Sequence, residues 1–473
     1  MNGPDSGSGR STMSDIHPVG VILAAGKGTR MKSDMPKGLH RVAGLPMVEL
    51  VGRAMREAGL GRVIVVIGHG GEELQEALGD RYEYVWQREQ LGTGHAALMT
   101  RSAIGKVQGP VIIAPGDAPL IRPEVFACLL EVQPGHACVV ASAELDNPHG
   151  YGRIVRGPTG KPLRIVEEKD ARPEQKQIKE VNAAIYCFDG PTLFKYLPTL
   201  KNSNAQGEYY LTELVEVLSS ANAKLEVVKL ADSSILVGVN DRWQLAQAEK
   251  AFRTSVLKKH ALNGITFLDP DTTFVGPDVE VGADCVIEAG TQLIGNSKVG
   301  KGSRVGPYSR IEDSTIGDDC RVVFSQVVGS KIGSGSAVGP FANVRPGTET
   351  EPRVRIGNFV EVKNSRLEGL VSVSHLSYIG DAQIGFDTNI GAGVITCNYD
   401  GFEKHRTIIG KNCFIGSNAT LVAPVTVGDE ALIAAGSTVT KDVPAEAGAF
   451  GRARQENKEG WYRQWKAKRQ AKA

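Results

Sequence analysis

From Val275 onward an aliphatic residue returns at every sixth position: Val281, Ile287, Leu293, Val299, Val305 and Ile311 follow in register. A period of six fits neither the 3.6-residue repeat of an amphipathic helix nor the two-residue alternation of a half-buried strand. It belongs to short parallel strands joined by tight turns, with the chain winding coil on coil and each aliphatic residue pointing into the stack. Three strands per coil make a unit of about 18 residues and on the order of ten coils. The register slips by one at Ile316, resumes at Val322, and runs through Ile332, Val338 and Val344 to Ile356 and Val362. Ile379, Ile384 and Ile390 lead into a last run of Ile409, Ile415, Leu421, Val427, Ile433 and Val439. A parallel β-helix over residues 265–450 is therefore expected. Parallel crossovers are right-handed by general preference, and the period itself does not set the hand.

Regular coils read as a spacer, whereas interruptions of the rhythm read as sites. The largest interruption is the polar excursion Cys397-Asn398-Tyr399-Asp400-Gly401-Phe402-Glu403-Lys404-His405-Arg406.

With 473 residues the chain exceeds one ordinary core, and residues 19–240 suggest a separate α/β domain. Val19-Gly20-Val21-Ile22-Leu23 is a buried-strand run that enters Ala24-Ala25-Gly26-Lys27-Gly28-Thr29-Arg30-Met31. Such a Gly-rich basic loop suits phosphate binding, although it matches neither standard phosphate-loop pattern and a plain tight turn stays open. Arg62 to Gly68 and Val111 to Ala114 read as further strands, the latter ending in Pro115-Gly116-Asp117-Ala118-Pro119. Ligands of open parallel sheets bind at the carboxyl ends of strands, so Asp117 suits either Mg²⁺ or a helix N-cap. Leu245, Ala248, Phe252 and Val256 share one helical face and Asn263-Gly264 is a stop signal, predicting a linker helix over 241–264. Residues 1–18 read as a disordered leader, and 451–473 as a basic aromatic tail, either solvated or touching a coil end or an anion.

Lys and Arg number 54 against 53 Asp and Glu, which removes the positive field of a non-specific nucleic-acid binder. No apolar run reaches the roughly 20 residues of a membrane span, and the leader lacks a secretory core; a cytoplasmic protein is expected. The seven cysteines include no C-x-x-C pair, which suggests neither a disulfide framework nor a zinc site.

Leu23 to Met31 with Pro36-Lys37 is similar to the signature of the sugar-nucleotide pyrophosphorylases. Together with His375-Leu376-Ser377-Tyr378-Ile379-Gly380-Asp381 and Asn389-Ile390-Gly391-Ala392-Gly393, the chain from Val19 to about Trp465 resembles the GlmU family of bacteria. Its members are bifunctional N-acetylglucosamine-1-phosphate uridyltransferases and glucosamine-1-phosphate N-acetyltransferases. The resemblance implies a Rossmann-like nucleotidyltransferase domain followed by a left-handed β-helix, a homotrimer, and a place in peptidoglycan and lipopolysaccharide precursor synthesis. In the front domain it implies that Leu23, Ala24, Ala25, Gly26, Gln87, Gly92 and Thr93 hold UTP. Arg30 and Lys37 would neutralise its phosphates, while Asp117 and Asn240 bind Mg²⁺. Gly152, Glu167 and Asn182 would orient N-acetylglucosamine 1-phosphate. In the β-helix it implies that His375 is the general base that deprotonates glucosamine 1-phosphate, a role suited to a side chain titrating near neutrality. Arg345, Lys363, Tyr378, Asn389 and Lys404 would hold the sugar phosphate, and Glu361 would orient the base or the sugar. Ala392, Asn398, Tyr399, Ser417, Ala435 and Arg452 would contact acetyl-CoA, with Ser417 facing the thioester oxyanion.

Two departures touch the sugar pocket: Gly38 follows the Pro-Lys pair, and Ala183-Ala184 follows Asn182. Two other readings stay open from residues alone: a single-activity nucleotidyltransferase with a regulatory solenoid, and a scaffold whose front domain has lost its chemistry. His375 with Asn398-Tyr399 counts against the first, and Arg30, Lys37 and Asp117 against the second.

Overall fold

The computed structural model describes residues 17–106, 108–233 and 238–471, so residues 1–16 of the expected leader lie outside the described residues. The chain forms two compact units, Met1–Phe252 and Arg253–Ala473.

In the first unit Val19–Leu23 pairs in parallel with Arg62–Ile67 on one side and Pro110–Pro115 on the other. These runs are apolar at successive positions because helices cover both faces of the sheet. Val19, Val21, Ile64, Val66, Val111 and Ile113 pack into one layer. Ile22, Val63, Val65, Ile67, Ile112 and Ala114 pack into the other. The sheet continues through Glu83–Trp86 at one edge. On the other side it departs from an all-parallel arrangement. Glu180–Asp189 runs antiparallel between Pro110–Pro115 and Cys138–Glu144, and Leu225–Lys229 closes that edge. Backbone bonds extend the pairing past the strand ends, from Ala24 N to Val66 O at 2.9 Å, Gln87 N to Ile67 O at 2.8 Å and Gly116 N to Leu23 O at 2.9 Å. Three loops therefore leave the sheet at one edge. A helix, Arg242–Leu262, carries the chain onward. Its Leu245, Ala248 and Phe252 pack in the first unit.

In the second unit three parallel sheets stand side by side. The first runs from Thr266–Phe267 to Gly448–Ala449, the second from Phe274–Val275 to Thr438–Val439, and the third from Glu280–Val281 to Val425–Val427. Each coil contributes one short strand to each sheet, and the six-residue aliphatic positions form a single core that includes Val305, Ile311, Val344, Val362 and Ile415. The one-residue slip at Ile316 is a coil of 17 residues, seen in the bond from Cys320 N to Ser303 Oγ at 2.9 Å. The 397–406 excursion lengthens one coil to 25 residues, spanned by the bond from Cys413 N to Thr388 Oγ1 at 3.0 Å. Stacking thus absorbs insertions at corners while the strands keep register. The tail forms an exposed helix, Trp461–Gln470, on which Trp461 and Tyr462 both stack against Trp465. Among the described residues no helix is long and apolar enough to cross a membrane.

Candidate active sites

The loops at the common edge of the first sheet enclose a cavity of about 520 Å³, lined by Leu23 to Arg30, Lys37, Gln87, Gly92, Thr93, Asp117, Glu167, Asn182 and Asn240. Residues scattered over more than two hundred positions thus meet in one place. At its cationic end Lys37 Nζ pairs with the Asp117 carboxylate and donates to Asn240 Oδ1 at 3.0 Å, while Arg30 donates to the same oxygen at 2.7 Å. Two hard oxygens from different elements therefore converge on one positive charge, a donor set that suits Mg²⁺. Gly28 adopts φ +60°, and a Cβ there would lie 2.7 Å from Lys37 Cβ; the glycine lets the basic loop close against the lysine stem.

One side of the cavity is held by bonds between side chains and the main chain. Gln87 Nε2 donates to Gly92 O at 3.0 Å, and Thr93 Oγ1 accepts from Leu211 N at 2.9 Å. At the far end Asn182 Nδ2 donates to Tyr186 Oη at 2.6 Å, and Asn182 N donates to Gly152 O at 2.9 Å. Gly152 does not itself line the cavity; a Cβ on it would come 3.4 Å from Glu167 Oε2. Burial pushes the Glu167 carboxyl above its usual range, against the Thr212 hydroxyl that donates to it at 3.0 Å. The sequence reading did not single out Gln90, Tyr186, Glu208 or Thr212, which also line the cavity. They follow no motif. Ala184, in a left-handed turn at φ 57°, donates its N–H to Asn182 Oδ1 at 3.0 Å, so the Ala183-Ala184 departure keeps the asparagine anchored.

In the β-helix the corner between first and second sheets aligns residues far apart in sequence. Pairing sets Arg355 beside Ser372, Ser372 beside Asn389, Asn389 beside Phe414 and Phe414 beside Leu432. Three residues on, Asn358, His375, Ala392, Ser417 and Ala435 therefore stand in one column. Backbone bonds follow it: Gly393 N donates to His375 O at 3.2 Å, Asn418 N to Ala392 O at 2.7 Å and Gly436 N to Ser417 O at 2.8 Å. His375 is exposed, with Nδ1 2.7 Å from Asn358 Oδ1. An amide oxygen only accepts, so this contact puts the imidazole proton on Nδ1 and leaves the Nε2 lone pair free. The partner of His375 is thus Asn358, which the motif reading passed over. Glu361 instead binds the Arg345 guanidinium at 2.7 Å, which raises Arg345 further above its usual range.

The cationic candidates gather elsewhere on the coil. Lys363 lies close enough to Lys404 to hold the Lys404 ammonium below the usual lysine range. Two adjacent ammonium groups favour an anion between them. Next to them Asp381 accepts from Asn364 Nδ2 at 2.5 Å and from Asn398 Nδ2. Burial by itself would raise its pKa, but the Asn364 and Asn398 donors and the Lys363 and Lys404 charges hold it below the usual range. The excursion is an internally tied hairpin. Asp400 accepts from Phe402 N at 2.8 Å and Glu403 N at 2.7 Å, Tyr399 Oη donates to Gly401 O at 2.6 Å, and Tyr399 bridges to Lys404. Tyr378 begins a second-sheet strand beside Glu361, Asn389 lies in the first sheet, and Arg452 is exposed past its last strand. Among the described residues no hydrogen bond or ion pair links His375 to Arg345, Lys363 or Lys404.

Residues 20–182 match the family described as the MobA-like NTP transferase domain. Residues 278–313 match the bacterial transferase hexapeptide of six repeats, and 406–441 the hexapeptide repeat of succinyl-transferase. The chain is similar to the bifunctional protein GlmU of Caldanaerobacter subterraneus subsp. tengcongensis, with 48% identity over 445 residues, 94% of this chain and 97% of that protein. Against the bifunctional protein GlmU of Staphylococcus haemolyticus the identity is 47% over 443 residues, 93% of this chain and 98% of that protein. For Streptococcus agalactiae serotype V it is 45% over 443 residues, 93% and 96%. With both halves matched at this identity, the chain belongs to the GlmU family, joining a nucleotidyltransferase domain to a left-handed hexapeptide β-helix transferase domain.

Proposed function

We propose that the β-helix acetylates the amine of glucosamine 1-phosphate with acetyl-CoA. The front domain then transfers UMP from UTP to the resulting N-acetylglucosamine 1-phosphate with release of pyrophosphate. The product, UDP-N-acetylglucosamine, feeds peptidoglycan and lipopolysaccharide precursor synthesis in the cytoplasm. The observation that carries this reading is the pairing, in one chain, of a cavity at strand ends lined by Arg30 and Lys37 with a histidine whose free nitrogen stands in one column with Ala392, Ser417 and Ala435.

At the cavity the Leu23 to Gly26 loop, Gln87, Gly92 and Thr93 hold the uridine nucleotide, and Arg30 and Lys37 neutralise its phosphates. Gly152, Glu167 and Asn182 orient the sugar phosphate so that its oxygen attacks the α-phosphorus in line as the bond to pyrophosphate breaks. Asp117 and Asn240 would hold Mg²⁺, which when bound would supply charge neutralisation between attacking and departing phosphates.

At the β-helix His375 Nε2 removes a proton from the amine, which attacks the thioester carbonyl. The Ser417 hydroxyl donates to the developing oxyanion, and the coenzyme leaves as its thiol. Arg345, Lys363, Tyr378, Asn389 and Lys404 hold the sugar phosphate, and Asn398, Tyr399 and Arg452 contact the coenzyme with Ala392 and Ala435. Since His375 and the lysine pair occupy different corners of a coil, neighbouring chains complete each site, in a homotrimer. Parallel assays of free thiol from acetyl-CoA and pyrophosphate from UTP test the whole reading. His375→Ala should abolish the first and spare the second, and Asp117→Ala the reverse; equal loss of both in either variant contradicts two independent sites.

A further inference from the structure

Arg153 begins the strand Arg153–Arg156 of the front domain, and its side chain is only 2% exposed. The strand pairs antiparallel with Pro162–Val166, Arg153 standing opposite Val166 and Ile154 opposite Ile165. One position on, the same register sets Gly152 opposite Glu167, where a Cβ on the glycine would lie 3.4 Å from Glu167 Oε2. Successive side chains of a strand point to opposite faces. Gly152 and Glu167 thus share the face of the buried Ile154 and Ile165, and Arg153 and Glu168 share the reverse. There the Arg153 guanidinium meets the Glu168 carboxylate at 2.8 Å, its diagonal neighbour across the two strands. It also donates to Tyr151 O, and to Lys176 O at 3.4 Å, while the same carboxylate oxygen accepts from Gly150 N at 3.2 Å.

We infer that Arg153 and Glu168 are positioning residues, a buried ionic clamp that fixes the sugar end of the cavity for uridyl transfer. The inference rests on the reading above in which Gly152, Glu167 and Asn182 orient the sugar phosphate. Each partner of the pair is covalently next to one of those residues, Arg153 to Gly152 and Glu168 to Glu167, and Gly152 O accepts from Asn182 N at 2.9 Å. Closing the pair therefore sets how far apart the two strand ends carrying the site can stand. Stability by itself does not account for the pair. Taking two charges out of water costs about as much as their attraction returns, and an apolar pair of similar volume commonly holds a fold as well. Arg153 Nε, moreover, is buried with no hydrogen-bond partner among the described residues, a further cost. What an apolar pair lacks is direction. Aliphatic contacts tolerate sliding, whereas a guanidinium bonded to one carboxylate and two carbonyls has a single placement. Gln87 and Gly92, on the other side of the cavity, share none of these bonds, so the clamp bears on the acceptor sugar phosphate and not on UTP.

The test is the charge-free double variant Arg153→Met with Glu168→Leu, with Glu168→Gln as a second variant that keeps an acceptor for the guanidinium. Melting temperature, KM for each substrate of uridyl transfer, and acetyl transfer are measured on the full chain. The double variant should melt within about 5 °C of wild type. Its KM for N-acetylglucosamine 1-phosphate should rise about tenfold or more, while KM for UTP and the rate of acetyl transfer stay within about twofold. Glu168→Gln, with a neutral bond in place of the ionic one, should raise the same KM about threefold. A KM for the sugar phosphate that is unchanged in both variants, or that rises no more than KM for UTP, overturns the clamp and leaves the assignment of the sugar end standing. If the double variant melts far below wild type, Glu168→Gln decides, and an unchanged KM there overturns the clamp. A wild type that transfers no UMP to N-acetylglucosamine 1-phosphate overturns the assignment of the sugar end, and the clamp with it.

Discussion

Lys37 Nζ donates to Asn240 Oδ1 over 3.0 Å and to Asp117 from the same ammonium, joining elements 203 and 80 residues away from it. Asp117 supplies the counter-charge at the positive end of the cavity, and Asn240 a neutral acceptor shared by Lys37 and Arg30. Asp117→Asn and Asn240→Ala are each expected to lower uridyl transfer about 10²-fold or more and to raise the Mg²⁺ concentration needed for half-maximal rate. Acetyl transfer by the same preparations should be unchanged, and steady-state assays across a Mg²⁺ series read both effects.

Gly28→Ala adds a methyl 2.7 Å from Lys37 Cβ in a turn at φ +60°. The lysine stem must shift, so KM for UTP should rise and kcat for uridyl transfer should fall about tenfold or more, since misplacement by an ångström has effects of that size or larger. A variant indistinguishable from wild type would mean that Lys37 does not act from this position.

Asn358→Ala removes the acceptor of His375 Nδ1. The proton is then free to move between ring nitrogens, and kcat for acetyl transfer should fall about tenfold, the equivalent of one hydrogen bond of ~1.4 kcal/mol. KM for acetyl-CoA should hold. The pH–rate profile of acetyl transfer should shift with it, whereas a purely structural role would move stability alone.

Glu167 has its carboxyl raised by burial above the unfolded value of 4.5. A raised carboxyl stabilises the fold fully only below 4.5, and this contribution is lost as pH rises through the folded value. Glu167→Gln lacks that slope. Its melting temperature should match wild type at acid pH and exceed it increasingly above 4.5, even as KM for N-acetylglucosamine 1-phosphate increases. A melting-temperature difference that stays flat with pH would count against the assignment.

Asp381 behaves with the opposite sign. Its carboxyl is held below 3.8, so its contribution is present above that value and is lost as pH falls through the folded one. Asp381→Asn faces two amide donors with one acceptor, and should cost about 2 kcal/mol of unfolding free energy at neutral pH. Because Asn398 anchors the hairpin to it, KM for acetyl-CoA should also rise, which isothermal binding measurements would register.

The coil and the front sheet were legible because they are set by local rules. A six-residue aliphatic period admits one kind of stack, and an apolar run entering a Gly-rich loop at Leu23 and Ala24 marks a strand end. The antiparallel strand Glu180–Asp189 was not legible, since an apolar run carries no direction. The sequence reading gave roles to His375 and Asp117, yet none to Asn358, Asp381 or Thr212, whose importance lies in partners 17 to 45 residues distant.

By itself, then, the sequence determined the period of the coil, the strand that opens the front domain and the residue types able to carry the chemistry, all properties of neighbouring positions. Which residues face one another was decided only in three dimensions. Coils of 17 and 25 residues stack in register because strands pair and corners absorb the difference. That is why His375, Ala392, Ser417 and Ala435 form one column although no constant spacing relates them. The same holds at the cavity, where Lys37, Asp117 and Asn240 meet because three loops leave one sheet edge.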